Sequence, residues 1–183
     1  GLVGADEIEA LMPNSLLINT ARGGVLDERA LLNRIHSRSD IYTAIDCWEG
    51  EPSISNALLQ KATYASPHIA GHTAEARLRA TLSASASLAD FLGNDRKPSI
   101  ELSRTRKHNI SLVEGTSVRS VLDVLSLVHD LGRLKSSLMA GAEQAPRLKP
   151  EFFDKIRGAS ELRREFKTYR IRTDDFSRST AEE

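Results

Sequence analysis

The amino-acid sequence predicts an α/β fold built on a doubly wound parallel sheet. Apolar runs over residues 15–19 and 41–45 are bounded by turn-forming residues, as strands buried on both faces of a parallel sheet usually are, and a third strand is expected over 62–65. Helical stretches over residues 27–36 and 56–61 separate them. This alternation is typical of a doubly wound sheet, in which ligands bind just beyond the carboxyl ends of the strands.

End signals mark the predicted helices. A short helix is expected over residues 5–12, where acidic residues suit the helix start and Pro13 stops the helix. Asp27 suits the N-cap position of the helix over residues 27–36. One long helix is expected over residues 73–92, because apolar and small residues recur there along one face.

The region after residue 92 has weaker signals. The pattern predicts, in order, a linker over residues 93–98, an amphipathic helix over 118–128, a loop over 141–150, helices over 152–157 and 161–166, and a frayed polar tail after residue 173. The charge also changes: residues 1–96 contain 8 Lys and Arg against 12 Asp and Glu, and residues 97–183 contain 17 against 13. Two different structural units are therefore expected.

The composition argues against several classes of protein. With 183 residues, 40% of them apolar and 27% charged, the chain can bury a core in one or two domains. No apolar run approaches the ~18 residues of a membrane helix, and the N-terminus has no signal-peptide pattern. The single cysteine, Cys47, excludes an internal disulfide and suits a reducing cytoplasm. Because the net charge is also zero, we expect a cytoplasmic protein that binds neither membranes nor nucleic acid.

A chemically distinctive residue follows each of the three predicted strands. Arg22 comes after the first strand, before two glycines that let the backbone turn tightly, and its guanidinium can hold a carboxylate. Glu51 follows the second strand and precedes a proline, and His68 follows the third. Taken singly, the three residues fit a solvated arginine, a polar loop and a structural histidine. Found in this order at three strand ends, they argue for one site.

The three segments resemble those of the D-isomer-specific 2-hydroxyacid dehydrogenases. The matching sequences are LINTARG at residues 17–23, DCWEGEP at 46–52 and PHIAG at 67–71. The resemblance extends over residues 1 to about 92 and implies an NAD-dependent enzyme. It also implies that this chain carries the C-terminal half of a Rossmann-type doubly wound parallel sheet, a long crossover helix and a small α+β C-terminal dimerisation domain.

The resemblance assigns the catalytic roles to Arg22, Glu51 and His68. His68 is expected to take the hydroxyl proton of the substrate, because the imidazole of histidine ordinarily titrates near neutral pH. Glu51 is expected to orient the imidazole and to stabilise the imidazolium. Arg22 is expected to bind the substrate carboxylate and to polarise the forming ketone.

The same resemblance implies four further site residues. Thr20 and Gly71 are expected to line NAD, and Asp46 is expected to meet its nicotinamide end. His72 is expected to bind substrate, at a position where the most similar members of the family usually have tyrosine. A histidine there can still hydrogen-bond a phosphate or a carboxylate. No metal site is expected.

The C-terminal region resembles a domain that only some members of the family carry, through FFDKIR at residues 152–157 and LRREF at 162–166. This implies a homodimer formed through that domain, and a small anionic phosphorylated 2-hydroxy acid as substrate. The expected domains are residues 1–72, the C-terminal part of the NAD-binding domain with the catalytic residues; residues 73–96, the crossover helix and linker; and residues 97–183, the dimerisation domain.

Several alternatives stay open at this point. Because the sequence has no Gly-x-Gly-x-x-Gly phosphate loop, we expect a fragment of a longer protein that binds NAD poorly and turns nothing over alone. A sister enzyme of the phosphoglycerate or hydroxypyruvate reductase type is one alternative, and a panel of 2-hydroxy acids would distinguish it. A non-catalytic dimerisation or regulatory module on the same fold is another, although such a module has no need of Arg22, Glu51 and His68 together. An α/β domain of unknown use is the third.

Overall fold

A computed structural model describes residues 1–94, 108–111, 121–142, 146–159 and 163–172 of the chain. The chain divides into two compact units. The first contains Gly1–His72 and Asp130–Glu161, and the second contains Thr73–His129 and Leu162–Glu183. Within the described ranges, no helix is both long enough and apolar enough to cross a membrane.

The elements follow the predicted alternation through the first three strands. In chain order they are α1 (Ala5–Glu9), β1 (Leu16–Asn19), a 3-10 turn (Gly23–Val25), α2 (Glu28–Arg38), β2 (Tyr42–Ile45), α3 (Asn56–Lys61), β3 (Tyr64–Ala65), α4 (Ala74–Phe91), β4 (His108–Ser111), α5 (Val121–Val128), α6 (Leu131–Met139), α7 (Pro150–Ala159), a second 3-10 turn (Phe166–Thr168) and β5 (Tyr169–Arg172). In the first unit, β1, β2 and β3 form a parallel sheet in that order, with Leu16 beside Tyr42 and Ala44 beside Tyr64. The predicted parallel α/β sheet is confirmed. The prediction that its strands are buried on both faces is wrong for this chain, because Leu16, Ile18 and Tyr42 are 55%, 57% and 52% exposed.

The helices of the first unit begin and end at the residues that favour their ends. Asp27 accepts a hydrogen bond from Ala30 N at 2.8 Å at the start of α2, as predicted, and an N-cap of this kind is worth about 1 kcal/mol. α1 ends at Glu9 rather than at residue 12. Pro13 accounts for the difference, because a proline ring in a helix clashes with the carbonyl four residues earlier, which here is that of Glu9.

One apolar cluster fills the first unit, and it includes residues from the C-terminal part of the chain. Among its fully buried side chains are Ile8, Leu31, Ile45, Trp48, Leu58, Leu138, Leu148 and Phe153. The sequence assigned residues 130–161 to a C-terminal domain, but they pack with residues 1–72, because Leu138, Leu148 and Phe153 complete this core. No helix was predicted over the part of this segment that forms α6.

The second unit contains α4, α5 and the parallel strand pair β4–β5. The predicted long helix is present as α4, with Thr73 as its N-cap. The predicted helix over residues 161–166 is wrong for residues 163–165, which have no regular structure. The carboxylate of Glu75 binds the Arg164 side chain there and accepts from Glu165 N at 3.1 Å, so that N–H bonds to a side chain instead of to a helix carbonyl.

Five predicted features fall wholly or partly outside the described residues. The parts concerned are residues 95–98 of the linker, 118–120 of the amphipathic helix, 143–145 of the loop, 161–162 of the helix over 161–166, and the polar tail after 173. The role of the C-terminal region in dimerisation stays a prediction.

Candidate active site

The buried side chain of Asn19 shapes the loop after β1. Its Nδ2 donates to Arg22 O at 3.1 Å and to Cys47 O at 3.0 Å, and its Oδ1 accepts from Ala21 N at 3.2 Å. These bonds fix the turn that presents Arg22 at the carboxyl end of β1. The Arg22 side chain is exposed, and its Nη1 donates to the carbonyl of Ala21 at 2.6 Å. Arg22 thus lies at the predicted strand end, with its guanidinium bonded to its own loop.

The next residue, Gly23, lies against the loop that follows β2. A Cβ atom at Gly23 would lie 2.0 Å from Trp48 O and 2.6 Å from Glu49 N, which are both backbone atoms. Only glycine permits this approach, because any side chain would force the two loops apart. A Cβ atom at Gly24, in contrast, would meet nothing within 4 Å. Of the two glycines after Arg22, packing therefore requires only the first.

Glu51 and His68 form the central contact of the site. Glu51 Oε2 lies 2.7 Å from His68 Nδ1, and the two side chains are 19% and 27% exposed. The other carboxylate oxygen, Oε1, accepts from Trp48 N at 2.6 Å. A carboxylate beside Nδ1 favours the tautomer that carries its proton there, and this tautomer leaves Nε2 as a proton acceptor. The structure therefore brings together two of the three predicted catalytic residues.

The backbone of His68 has a left-handed conformation, with a φ of 54°. This conformation costs a non-glycine residue roughly 1–2 kcal/mol and persists only where the surroundings enforce it. The buried Asp46 provides that enforcement, since its main-chain O accepts from His68 N at 2.8 Å. Its carboxylate Oδ1 accepts from Ser66 Oγ at 2.6 Å and from Ile69 N at 2.8 Å, and Oδ2 accepts from Ala70 N at 3.0 Å. Asp46 thus fixes the direction in which the imidazole leaves the chain.

The residues predicted to bind NAD lie at the same strand ends, where Thr20 and Gly71 are open to a ligand. Thr20 and Gly71 are exposed, and a Cβ atom at Gly71 would meet nothing within 4 Å. Asp46 is buried, and its carboxylate accepts from Ser66 Oγ, Ile69 N, Ala70 N and, at 3.9 Å, the Cys47 thiol, so its contact with the nicotinamide stays a prediction. His72 is half-buried, and its main-chain N–H donates to the main-chain O of Ile69 at 2.9 Å. Its contact with substrate stays a prediction.

Cys47 is buried next to the pair formed by Glu51 and His68. Its thiol donates to the Ala21 carbonyl at 3.4 Å. Burial, and then the charges of Asp46 and Glu51, raise the pKa of the thiol to about 11, so the thiol keeps its proton at neutral pH. Donor atoms of Cys47, Glu51 and His68 lie within 4.8 Å of one another, but a protonated thiol is a poor metal ligand. The expectation that no metal binds here stays a prediction.

Sequence reasoning missed Glu28, which lies behind the loop that carries Glu51. In the sequence it is an ordinary acidic residue in the first turn of a helix, where the helix dipole favours it. In the structure it is 6% exposed, and its Oε1 accepts from Glu49 N at 2.6 Å. Burial raises the pKa of Glu28 to about 7, with the charges of Glu49 and Glu51 acting in the same direction and Arg147 in the opposite one. The sequence did place Glu28 next to the loop that follows the first strand, and this position could have indicated a role near the site.

Residues 1–70 match the sequence model of the NAD binding domain of D-isomer specific 2-hydroxyacid dehydrogenases. Residues 1–70 therefore carry the NAD binding domain of this family. The match covers the part of the chain that carries β1, β2, β3 and the Glu51–His68 pair, and it confirms the predicted family and fold class. Because the matched domain of the family is NAD binding, it also confirms NAD as the family's cofactor.

Three curated relatives have the same name. Erythronate-4-phosphate dehydrogenase of Escherichia coli is 32% identical over 179 residues, which are 94% of this chain and 46% of the relative. The enzyme of that name from Pseudomonas putida is 32% identical over 174 residues, 93% and 46% of the two chains, and that from Coxiella burnetii is 33% identical over 166 residues, 90% and 42%. The chain thus spans just under half the length of the relatives it matches.

Among solved structures, an NADPH-dependent glyoxylate/hydroxypyruvate reductase from Sinorhizobium meliloti, crystallised with citrate, is 32% identical to this chain. The similarity covers 54% of this chain and 33% of that one, with a TM-score of 0.43.

Proposed function

We propose that the full protein is an NAD-dependent dehydrogenase that oxidises 4-phospho-D-erythronate to 2-oxo-3-hydroxy-4-phosphobutanoate, a step of cytoplasmic pyridoxal phosphate (vitamin B6) biosynthesis. The observation that carries the proposal is the 2.7 Å contact between Glu51 Oε2 and His68 Nδ1. It provides an oriented base at a strand end, as the oxidation of an alcohol requires. The relatives named erythronate-4-phosphate dehydrogenase, at 32% to 33% identity, support the substrate.

His68 supplies the base in the proposed reaction. Its Nε2 takes the proton of the C2 hydroxyl group, while the hydrogen on C2 leaves as a hydride and the C2–O bond becomes a carbonyl. Positive charge then develops on the imidazole, and Glu51 stabilises it through Nδ1. Because Trp48 N–H holds the other oxygen of Glu51, the carboxylate is already oriented for this role. NAD, when bound, supplies the hydride acceptor.

Arg22 binds the substrate in the proposed reaction. Its guanidinium can pair with the C1 carboxylate through two parallel hydrogen bonds and can stabilise negative charge on the C2 oxygen. The bond from Arg22 Nη1 to Ala21 O, at 2.6 Å, is one that a carboxylate would replace. The exposed side chain can make this exchange while Asn19 keeps the backbone of the loop in place.

The substrate is tested by following NADH formation by the full-length protein on a panel of 2-hydroxy acids. We expect kcat/KM for 4-phospho-D-erythronate to exceed that for D-glycerate by about 10² or more, because phosphate contacts would be lost with glycerate. A preference for 3-phosphoglycerate or glycerate would replace the proposal with a sister enzyme. If NAD binds but no 2-hydroxy acid is oxidised, the protein is a non-catalytic module instead.

We also propose that the protein is a homodimer formed through its C-terminal part. α4 belongs to the same compact unit as most of the expected dimerisation domain. Support comes from the end of this helix, where Leu88, Phe91 and Leu92 are 57%, 86% and 67% exposed, since contiguous exposed apolar residues usually mark an interface. In the full-length protein, Phe91→Asp should shift the mass measured by light scattering from dimer to monomer. Met12→Asp, at an exposed apolar residue of the first unit, is the control. A monomeric wild type at micromolar concentration would contradict the proposal.

A further inference from the structure

The loop of residues 48–54, which carries Glu51, is bound by two other segments of the first unit. One is the start of α2, and the other is the extended segment of residues 146–148, which the sequence placed in a C-terminal domain. The hydrogen-bonded pair of Glu51 and His68 can act as a catalytic base only while the two side chains stay in the correct relative position. A shift of about 1 Å in a reacting group can lower the rate about 10²-fold. What holds this loop therefore bears on the proposed reaction.

From α2, Glu28 binds the loop next to Glu51. Its Oε1 accepts from Glu49 N at 2.6 Å, and its side chain is buried. On the same loop, Trp48 N donates to Glu51 Oε1 at 2.6 Å. The backbone amides of Trp48 and Glu49 are consecutive, so the amide that Glu28 fixes is adjacent to the amide that orients Glu51. Loss of the Glu28 acceptor would leave the amide of Glu49 without this hydrogen bond, directly beside the amide that orients Glu51.

From the segment of residues 146–148, Arg147 binds the other end of the loop. Its Nη1 donates to Ser53 O at 2.6 Å. The backbone on either side of it is also bonded, with Leu148 N donating to Ile54 O at 2.9 Å. A Cβ atom at Gly50 would lie only 2.7 Å from Arg147 Nη1, so the guanidinium rests directly on the loop. The charge of Arg147 also reaches Glu28, where it opposes the rise in pKa that burial causes.

We propose that Glu28 and Arg147 are positioning residues that hold the 48–54 loop, and so keep Glu51 in contact with His68. Neither residue is assigned any contact with the reacting atoms. The inference rests on the proposed roles of Glu51 and His68, and it makes the C-terminal segment 146–148 part of the structure that assembles the site. It also explains a buried carboxylate at the first turn of α2, where an exposed one would satisfy the helix dipole equally well.

The hydrogen bond from Glu49 N requires an acceptor at Glu28 and does not require a charge. Because burial raises the pKa of Glu28 to about 7, a neutral carboxyl group is populated near neutral pH, and its carbonyl oxygen still accepts. The amide of glutamine offers the same acceptor in the same place. Glu28→Gln is therefore the conservative variant, and Glu28→Ala is the disruptive one.

Kinetics of the full-length protein test the proposal. We expect Glu28→Ala to lower kcat about 10- to 100-fold with KM for NAD within about twofold of wild type, and Glu28→Gln to stay within about threefold in kcat. Arg147→Ala should lower kcat about 10-fold, and Arg147→Lys should recover most of this loss, because an ammonium can also donate to Ser53 O. Arg29→Ala, at an exposed residue beside Glu28 on α2, is the matched control and should leave kcat unchanged.

A second measurement does not depend on the substrate. The ¹⁵N shifts of the His68 ring nitrogens report which nitrogen carries the proton in the protein without substrate. We expect the Nδ1–H tautomer to dominate in wild type and in Arg29→Ala, and a mixture of tautomers in Glu28→Ala and Arg147→Ala, with Glu28→Gln and Arg147→Lys close to wild type. If the protein oxidised no 2-hydroxy acid, the proposed function would fail, but this measurement would still decide the positioning role.

The proposal is overturned if Glu28→Ala and Arg147→Ala both keep the wild-type tautomer and, where turnover is measurable, a kcat within twofold of wild type. Should Glu28→Ala fail to fold, Arg147→Ala decides alone, because Arg147 is exposed and its truncation leaves the apolar core intact.

Discussion

Gly23 offers a sharp test of how the loops of the site fit together. Replacing it with alanine adds one methyl group, at a point where the loop after β1 meets the loop after β2. The added Cβ atom would lie 2.0 Å from Trp48 O and 2.2 Å from Trp48 C, whereas ordinary van der Waals contacts begin near 3.4 Å. One of the two backbone segments must therefore move by more than an ångström.

The energetic cost follows from the atoms involved. Inserting a methyl group into a packed site typically costs about 1–3 kcal/mol, and the upper end applies here because backbone cannot rotate away as a side chain can. The displaced peptide is that of Trp48, whose N–H holds Glu51 Oε1 at 2.6 Å. Its movement should draw Glu51 away from His68, so we expect a loss of up to about 100-fold in kcat as well.

The assay compares Gly23→Ala with Gly24→Ala in the full-length protein. Urea unfolding followed by circular dichroism gives the change in the free energy of unfolding, and NADH formation gives kcat. Gly24→Ala adds the same methyl group where nothing lies within 4 Å, so it should stay within about 1 kcal/mol of wild type and keep its activity. Equal stability and equal kcat in the two variants would refute the close approach of the two loops, and with it the assembly of the site described above.

Three further predictions concern single groups of the site. His68→Asn should lower kcat about 10²–10⁴-fold with NAD affinity retained in calorimetry, because asparagine tolerates the left-handed backbone but is no base; near-normal turnover would show that the base lies elsewhere. Asp46→Asn replaces one acceptor oxygen with an amide donor facing the N–H groups of the His68 loop, so it should cost about 2 kcal/mol in urea unfolding and lower kcat; a loss below about 0.5 kcal/mol would contradict the bonding of Asp46. Because the pKa of Glu28 is raised from 4.5 to about 7, its stabilising contribution is full below its unfolded-state pKa and is lost as the pH rises through 7. Between about pH 5 and pH 8.5, the free energy of unfolding of the wild type in urea should therefore fall by about 2 kcal/mol relative to that of Glu28→Gln. A difference in unfolding free energy that does not change with pH would contradict the burial of this carboxyl group.

Local signals in the sequence were sufficient for the sheet, whereas the central contact was predicted from the resemblance to a known family. Apolar runs and an Asp27 N-cap predict β1, α2 and β2, because these depend on neighbouring residues. Strand ends of a parallel sheet lie at one edge, so the residues that follow them were expected to lie near one another. That Glu51 in particular contacts His68 was implied by the resemblance to the D-isomer-specific 2-hydroxyacid dehydrogenases.

Features that depend on distant parts of the chain could not be predicted from the sequence. The packing of α6 and α7 against residues 1–72 depends on Leu138 and Phe153 meeting apolar side chains far away in the sequence. Glu28 has the sequence context of a surface residue, but in the structure it is buried and accepts a hydrogen bond from Glu49 N. Asp46 was predicted to face NAD; its hydrogen bonds to the His68 loop depend on a conformation that no local pattern indicates.

The left-handed backbone at His68 restricts which amino acids could replace the imidazole during evolution or redesign. Tyrosine, lysine or glutamate could serve as a proton acceptor in principle, but each would have to adopt a φ of 54°, a region that asparagine, aspartate and glycine tolerate far better. A new base at this position would then need a rebuilt turn as well as a suitable pKa. Changes in the chemistry of this scaffold should therefore arise more readily at other strand ends, where a single substitution leaves the main chain undisturbed.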